Sequence, residues 1–283
     1  MTRLEQLTEL VESPVSRRQF AKNVGLTGAG LAATSLLGAT ALGGLAIPAA
    51  GQSATITPST ITDVDILNFA LNLEYLEAEF YTVAGTGKTL VESGIIPASA
   101  QTGPTTGGHI VSFPDDSDHD GSVAYLEKAI KHDEQQHVLL LRAALGSAAI
   151  KKPAINLDAL GFGFRSDSEF LLLSRAFEDT GVSAYAGAAP LIQSHSILSV
   201  AARIAETEAQ HAGSIRQLII RRGLTSPAVD GKDVPPTMTH PFFVDSKGLS
   251  IPRTTRQVLN IVYHSTGCSG GFFPAGFNGK IKC

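Results

Sequence analysis

Two Glu-x-x-His segments are the residues of this chain best suited to chemistry. Glu134 is followed three residues later by His137, and Glu208 is followed at the same interval by His211. Residues three apart on a helix lie on one face, roughly 5–6 Å apart at Cβ, so both side chains of a segment can reach one metal ion. In four-helix bundles, two such segments and one further Glu from each of two other helices build a di-iron or di-manganese carboxylate site. The chain must therefore supply two more helices, each with an inward Glu.

Two other amphipathic segments carry the required carboxylates. In residues 66–81 the apolar stripe at helical spacing centres on Glu74, and in residues 170–188 the matching stripe centres on Glu178. The same helical spacing places Glu77 at the edge of the first stripe. By the same geometry Glu79 lies on the solvent side of that helix.

A tyrosine follows each of these glutamates by seven residues, so the chain is an internal repeat of two helix pairs. Tyr81 follows Glu74 and Tyr185 follows Glu178. Two helical turns separate each pair, which is too far for the tyrosine to be a first-choice ligand. We expect both phenols to pack in the core and hydrogen-bond a carboxylate. A redox-active phenol is the alternative.

Six side chains are therefore the predicted ligands of two divalent transition-metal ions. Four carboxylates buried without cations would be very unfavourable, and two divalent ions neutralise them. Carboxylate and imidazole ligands suit iron or manganese but also bind zinc and copper tightly, so the metal stays open. Six ligands shared by two ions leave coordination positions where oxygen or peroxide can bind. The alternative is a bundle whose inward carboxylates stay protonated or bind Arg or Lys. The predicted ligands are Glu74, Glu134, His137, Glu178, Glu208 and His211.

Three segments resemble a known superfamily. Residues 68–77, residues 177–185 and the Gly271–Pro274 segment are similar to the ferritin-like superfamily, and most similar to its exported and desiccation-related proteins. The resemblance covers nearly all of the chain after about residue 62. It implies an all-α, ferritin-like four-helix bundle in residues 63–223, with a long crossover, a long first loop and an irregular C-terminal tail.

The first 51 residues resemble a twin-arginine export signal. Arg17 and Arg18 precede an apolar run rich in Gly and Ala, which ends in small residues typical of a cleavage site. The signal predicts an interaction with the twin-arginine export machinery and an exported location, periplasmic or extracellular. The alternative is a retained membrane anchor, because the run is long enough to span a bilayer. Residues 52–62 are a polar linker.

The long first loop, residues 85–121, ends in a pattern that matches a calcium-binding loop. Oxygen ligands alternate, Gly121 permits the sharp turn, and a glutamate six residues later can close the site. No entering helix precedes the pattern, so the alternative is a solvated acidic stretch that stabilises the next helix through its dipole. The predicted calcium ligands are Asp116, Asp118, Asp120 and Glu127.

Capping and stop signals predict where the helices begin and end. The first begins at a cap formed by Thr62 or Asp63 and ends at Gly85. The second covers residues 122–145, with His132 and Asp133 pointing away from the centre. A capping box of Ser166 and Glu169 opens the third, Pro190 ends or kinks it, and the fourth covers residues 197–222. Residues 146–165 are long enough for an end-to-end crossover.

Residues 224–283 form a tail rich in Pro and Gly, with one short helix expected at Thr255–Tyr263. The only two cysteines, Cys268 and Cys283, lie in this tail. In an exported protein such a pair predicts a disulfide, which would hold the tail together.

Composition excludes one class of function and leaves two. The formal net charge is −4 and no basic stripe is present, so nucleic-acid binding is not expected. The first class is a metal-dependent oxidoreductase that handles iron, oxygen, superoxide or peroxide. The second is a protective protein in which the metals only hold the bundle together. Iron storage in a shell is disfavoured because the long loop and tail would obstruct subunit packing. The sequence does not fix the oligomeric state.

Overall fold

Residues 61–113 and 123–283 are the part of the chain that the computed structural model describes. Its four long helices are α1 (Asp63–Thr86), α2 (Val123–Leu145), α3 (Asp167–Ala188) and α4 (His195–Arg221). Helix α1 packs chiefly against α2, and α3 against α4, while smaller contacts of α1 with α3 and α2 with α4 close the bundle. The predicted all-α four-helix architecture is confirmed.

The ends of α1 show why the predicted C-terminus was two residues early. Thr62 and Asp65 form a capping box at the start, in which each side chain accepts the other residue's backbone N–H. At the other end Gly87, with φ of 69°, stops the helix. Gly85 lies inside α1. A Cβ at this position would collide with the carboxylate of Glu127 on α2. This glycine therefore permits close helix packing rather than ending the helix.

Only one of the two hydrogen bonds of the predicted capping box forms at the start of α3. Ser166 Oγ accepts the N–H of Glu169 at 3.2 Å. The carboxylate of Glu169 instead accepts the N–H of Gly163 at 3.0 Å and pairs with Arg165 at 2.9 Å. Helix α4 begins at His195, two residues earlier than predicted, because Ser194 accepts the N–H of Ile197 and caps it.

The long first loop and the crossover cover one side of α1, which overturns the prediction for Glu79. Strand β1 (Thr105–Thr106) of the loop pairs in parallel with β2 (Ile155–Asn156) of the crossover. Glu79 was predicted to face solvent but is fully buried, with Oε1 3.4 Å from the Lys152 amine and Oε2 accepting the N–H of Leu90. The amine of Lys152 also donates to Thr105 Oγ1 at 2.8 Å, which ties both connections to the helix.

The C-terminal tail packs on the bundle through buried ion pairs and aromatic rings. Its helix α5 spans Thr255–Tyr263, as predicted. Three fully buried guanidinium groups hold the tail against the bundle. Arg216 of α4 does so through hydrogen bonds to the carbonyls of Val234 and Pro241, while its ion pair is with α3. The ion pairs of the three groups are Arg175 with Asp233 at 2.6 Å, Arg216 with Asp179 at 2.7 Å, and Arg253 with Asp230 at 2.8 Å.

A disulfide joins Cys268 to Cys283 at the end of the tail, where the sequence places its only cysteines. The two residues are 15 positions apart, so the bond closes a short loop. Among the described residues no helix is both long enough and apolar enough to traverse a bilayer.

Replacing both Cys268 and Cys283 with Ser should lower the free energy of unfolding. A loop of this length stabilises the chain by roughly 3 kcal/mol in the chain-entropy model, because the bond restricts the unfolded ensemble. Urea unfolding of wild type and variant measures the difference, and reductant should bring the wild type down to the variant while leaving the variant unchanged. Two free thiols detected by alkylation of the non-reduced protein would contradict the bridge.

Candidate metal centre

Each of the four long helices sends a buried carboxylate into the centre of the bundle, and α2 and α4 add one imidazole each. These are the six residues predicted as ligands, and all are buried. They form two groups of four whose donor atoms all lie within 4.8 Å of one another. Both groups contain Glu134 and Glu208. One group adds Glu74 and His137, and the other adds Glu178 and His211.

The two imidazoles turn their Nδ1 atoms toward the carboxylates. His137 Nδ1 lies 3.2 Å from Glu74 Oε2, 3.3 Å from Glu134 Oε2 and 3.2 Å from Glu208 Oε1. His211 Nδ1 lies 3.1 Å from Glu134 Oε1 and 3.2 Å from Glu178 Oε2. The ring centroids are 6.3 Å apart. The arrangement describes two adjacent cation positions that share two carboxylates.

Several polar atoms of the cluster make no hydrogen bond of regular geometry in the described part of the chain, although some of them lie 3.1–3.2 Å from an imidazole nitrogen or a carboxylate oxygen. Buried polar groups almost always have a hydrogen-bond partner, so a concentration of exceptions in one place calls for a missing one. A divalent cation supplies it, because it binds carboxylate oxygens and imidazole nitrogens at once. The residues present therefore fit two transition-metal ions. The atoms without a regular hydrogen bond are Glu134 Oε1, Glu178 Oε2, both carboxylate oxygens of Glu208, and His211 Nδ1.

The electrostatics of the clustered side chains favour the same conclusion. Burial raises the pKa of Glu74 to about 7, although His137 opposes the shift. Burial also disfavours the charged form of Glu134, but the two imidazoles outweigh it and lower its pKa. For His211, burial lowers the pKa, yet the carboxylates of Glu178 and Glu134 raise it to about 12. Metal binding at these imidazoles would therefore compete with protons.

The tyrosines bind carboxylates across the bundle rather than along their own helices. The hydroxyl of Tyr81 on α1 donates to Glu178 Oε1 on α3 at 2.5 Å, and that of Tyr185 on α3 donates to Glu74 Oε1 on α1 at 2.5 Å. Burial, and then the charge of the bonded carboxylate, raise the pKa of both phenols well above its ordinary value. Both remain neutral donors that orient a carboxylate of the cluster.

Sequence reasoning missed two residues beside the cluster. Glu77, placed at the edge of the stripe, is only 3% exposed. Burial, and then Glu208 and Glu134, raise its pKa well above the ordinary range. Asp133 was predicted to point away, but its Oδ2 lies 3.2 Å from His211 Nε2. A carboxylate at that nitrogen fixes the ring orientation and makes the other nitrogen a better ligand. For Glu77, the three-residue interval from Glu74 was the available signal.

Two other predicted sites fall wholly or mostly outside the described residues. The three aspartates of the calcium pattern, Asp116, Asp118 and Asp120, lie there, as do Arg17 and Arg18 of the export signal. The fourth predicted calcium ligand, Glu127, is described. It is buried and its Oε1 lies 3.0 Å from the Lys131 amine. The calcium loop stays a prediction.

Comparison with known proteins agrees with this architecture. A family model described as a ferritin-like domain matches residues 62–221. The chain is 25% identical to the Ferritin-like catalase Nec2 of Nesocodon mauritianus, over 77% of this chain and 84% of that protein. It is 26% identical to the Desiccation-related protein PCC13-62 of Craterostigma plantagineum, over 57% of this chain. The chain spans about half of that second relative, 54% of its length.

Glu208→Gln should reduce bound transition metal from two ions per chain to one or none. The substitution keeps the side-chain volume but removes a charge that both groups of ligands share. Anaerobic loading with Fe(II) or Mn(II), followed by desalting and metal analysis, gives the number of ions.

The matched control is Glu206→Gln, because Glu206 is an exposed residue of the same helix. It should keep both ions, whereas Glu79 is unsuitable as a control because it is buried against Lys152. Wild type that binds fewer than two ions, or equal loss in the two glutamine variants, would count against the centre.

Proposed function

Because the chain belongs to the ferritin-like domain family, we propose that it holds two transition-metal ions, iron or manganese, and uses them to disproportionate hydrogen peroxide. The observation that carries the proposal is the sharing of Glu134 and Glu208 between two Glu/His groups of the same composition. Such sharing is the arrangement that holds two ions side by side. The similarity to a protein named a ferritin-like catalase supports peroxide as the substrate.

Iron or manganese bound there would supply a two-electron redox change, by which two molecules of peroxide become one of oxygen and two of water. The chain contributes the environment for that chemistry. Tyr81 and Tyr185 hold the carboxylates of Glu178 and Glu74 through hydrogen bonds from opposite helices. Asp133 holds the ring of His211. Fixed hydrogen bonds of this kind keep ligands in place while the charge at the centre changes.

Burial of the cluster limits what can reach it. All six side chains are buried in the bundle, and the long first loop and the crossover cover one side of α1. A small neutral oxidant such as peroxide meets this restriction, whereas a bulky organic substrate does not. The exclusion of water also strengthens every electrostatic interaction inside the centre.

A second candidate is a protective protein in which the metals only hold the bundle together. The similarity to a protein named desiccation-related favours it. Bound ions would then act by mass action on folding, and the open coordination positions would have no catalytic use. The two candidates share the same metal centre and differ in whether peroxide is consumed.

Loaded wild-type protein should release one molecule of oxygen for every two of peroxide consumed, faster than the same concentration of free metal. An oxygen electrode together with a peroxide assay gives this ratio. Tyr185→Phe should lose roughly 10- to 100-fold in rate or metal affinity, as is usual when a group that orients a ligand is removed. Tyr125→Phe, which alters an exposed tyrosine of α2, is its control. Two bound ions without peroxide consumption above free metal would leave the protective candidate.

We further propose that the protein is exported through the twin-arginine machinery. Arg17 and Arg18 precede the Gly- and Ala-rich run in the sequence. The disulfide between Cys268 and Cys283 supports the proposal, because disulfides persist in oxidising compartments outside the cytoplasm. Export of an already folded protein would allow metal to be loaded beforehand.

Replacing Arg17 and Arg18 together with Lys should block export, because the recognised element is the arginine pair and not its charge. Fractionation of the host followed by immunoblotting measures the processed protein outside the cytoplasm. Arg3→Lys changes an arginine outside the pair and should leave export intact. Normal accumulation of the doubly substituted protein outside the cytoplasm would refute this route.

A further inference from the structure

The internal repeat is broken at one position beside the metal centre. Three residues after Glu74 the first half carries Glu77, whereas three residues after Glu178 the second half carries Gly181. Residues three apart lie on one helix face, so both positions face the cluster next to the glutamate that precedes them. At these equivalent positions, the first half of the repeat therefore has a carboxylate and the second half has no side chain.

The two residues are complementary in space. A Cβ on Gly181 would lie 2.6 Å from Glu208 Oε2 and 3.1 Å from Glu77 Oε1. Both carboxylates thus rest against the bare backbone of α3, on the side where any larger residue would push them away. Glycine inside a helix is destabilising relative to alanine, so its presence in α3 calls for a packing reason. Admitting Glu77 beside Glu208 supplies that reason.

Glu77 differs from the other buried carboxylates outside the cluster. Glu79 lies beside the amine of Lys152, and Asp179 beside the guanidinium of Arg216. The charged groups that act most strongly on Glu77 are four carboxylates of the cluster, and no positive side chain is among them. A buried carboxylate needs a positive partner, and cations bound by the neighbouring cluster would supply one to Glu77.

We propose that Glu77 is a fifth carboxylate of the centre that does not bind metal but stabilises the trivalent state of the two ions, and that Gly181 positions it. The inference rests on the proposed dinuclear function. The four carboxylates among the ligands balance two divalent ions, whereas two trivalent ions carry two more positive charges. Two cations bound beside Glu77 would favour its ionised form, and that negative charge beside Glu208 would favour the trivalent pair by direct Coulomb attraction.

The redox couple affected would be the reduction of two bound trivalent ions to two divalent ions, for which one molecule of peroxide would supply the two electrons and leave as oxygen and two protons. Glu77 neither gains nor loses electrons in it, and no bond to substrate forms. Its charge lowers the midpoint potential of the couple, so it acts as a positioning residue for charge and not as a catalytic residue. A merely structural role for Glu77 would leave that potential unchanged when both ions are bound.

Glu77→Gln is the first test. The iron-loaded variant should still bind two ions but have a higher midpoint potential in an anaerobic spectroscopic redox titration. We expect the equilibrium constant for reduction to rise at least about tenfold, which corresponds to ~30 mV for a two-electron couple. Glu77→Asp keeps the charge and should stay near the wild-type potential. Glu206→Gln removes an exposed charge from α4 and should not move it.

Three results would overturn the proposed charge role of Glu77 or the function on which it rests. Two bound ions with an unchanged potential overturn the charge role, and loss of an ion in Glu77→Gln overturns it because Glu77 would then be a ligand. Should Glu77→Gln fail to fold, Glu77→Ala is a second uncharged variant that must show the same upward shift. Wild type that binds fewer than two ions refutes the proposed function itself, and this inference with it.

Substitution of the glycine gives an independent test. Gly181→Ala should displace the carboxylates of Glu208 and Glu77, and so lose an ion or raise the midpoint potential. Gly213→Ala is the matched control, because Gly213 lies in α4 with no atom close to the position of a Cβ. Wild-type ion content and wild-type potential in Gly181→Ala would show that the glycine does not position the carboxylates.

Discussion

Burial of negative charge at the centre of the bundle is the constraint on which the rest of the structure depends. Five carboxylates and two imidazoles lie together, and their oxygens and nitrogens have too few hydrogen-bond donors among themselves. Without cations the cluster must bind protons, which is why the pKa of Glu74 rises and the pKa of His211 rises as well. Such a cluster is unfavourable on its own and would become favourable if cations bound, so the free energy of metal binding would also be free energy of folding.

Around this cluster of like charges lie ion pairs in which each buried acidic side chain has its own basic partner. On α3, Glu178 faces the metal centre while the next residue, Asp179, faces the other way and binds Arg216. Lys152 does the same for Glu79 on α1. Buried ion pairs contribute little net stability, but breaking one is strongly destabilising. They therefore fix where the connections and the tail lie, and these segments cover the helices that carry the ligands.

The contrast between the two kinds of buried charge explains what could be predicted from the sequence. The six predicted ligands lie on apolar stripes at helical spacing, so periodicity placed them correctly on inward, buried faces. The prediction that Glu79 faces solvent was wrong because an amphipathic pattern assumes that the opposite helix face meets water. Here two long connections cover that face. Those connections contain strands of two residues, too short to leave a period in the sequence. The prediction that Asp133 points away from the centre was wrong because its partner, His211, lies on another helix, which the periodicity of one helix does not reveal.

The two halves of the repeat are alike in their ligands and unlike in the residues around them. Asp133 precedes Glu134 and reaches His211, whereas the equivalent position before Glu208 is Thr207, whose hydroxyl donates to its own helix at the carbonyl of Arg203. The outer nitrogen of His211 therefore faces a carboxylate, whereas Thr207 offers no carboxylate to the outer nitrogen of His137. With Glu77 also present in only one half, two ions bound here would occupy unequal environments.

Disproportionation requires one centre to give electrons to peroxide and to take them from peroxide, so neither oxidation state can be strongly preferred. Anionic neighbours favour the trivalent state and neutral burial favours the divalent one. The broken symmetry gives the chain separate residues with which to set that balance, while the ligands themselves stay the same.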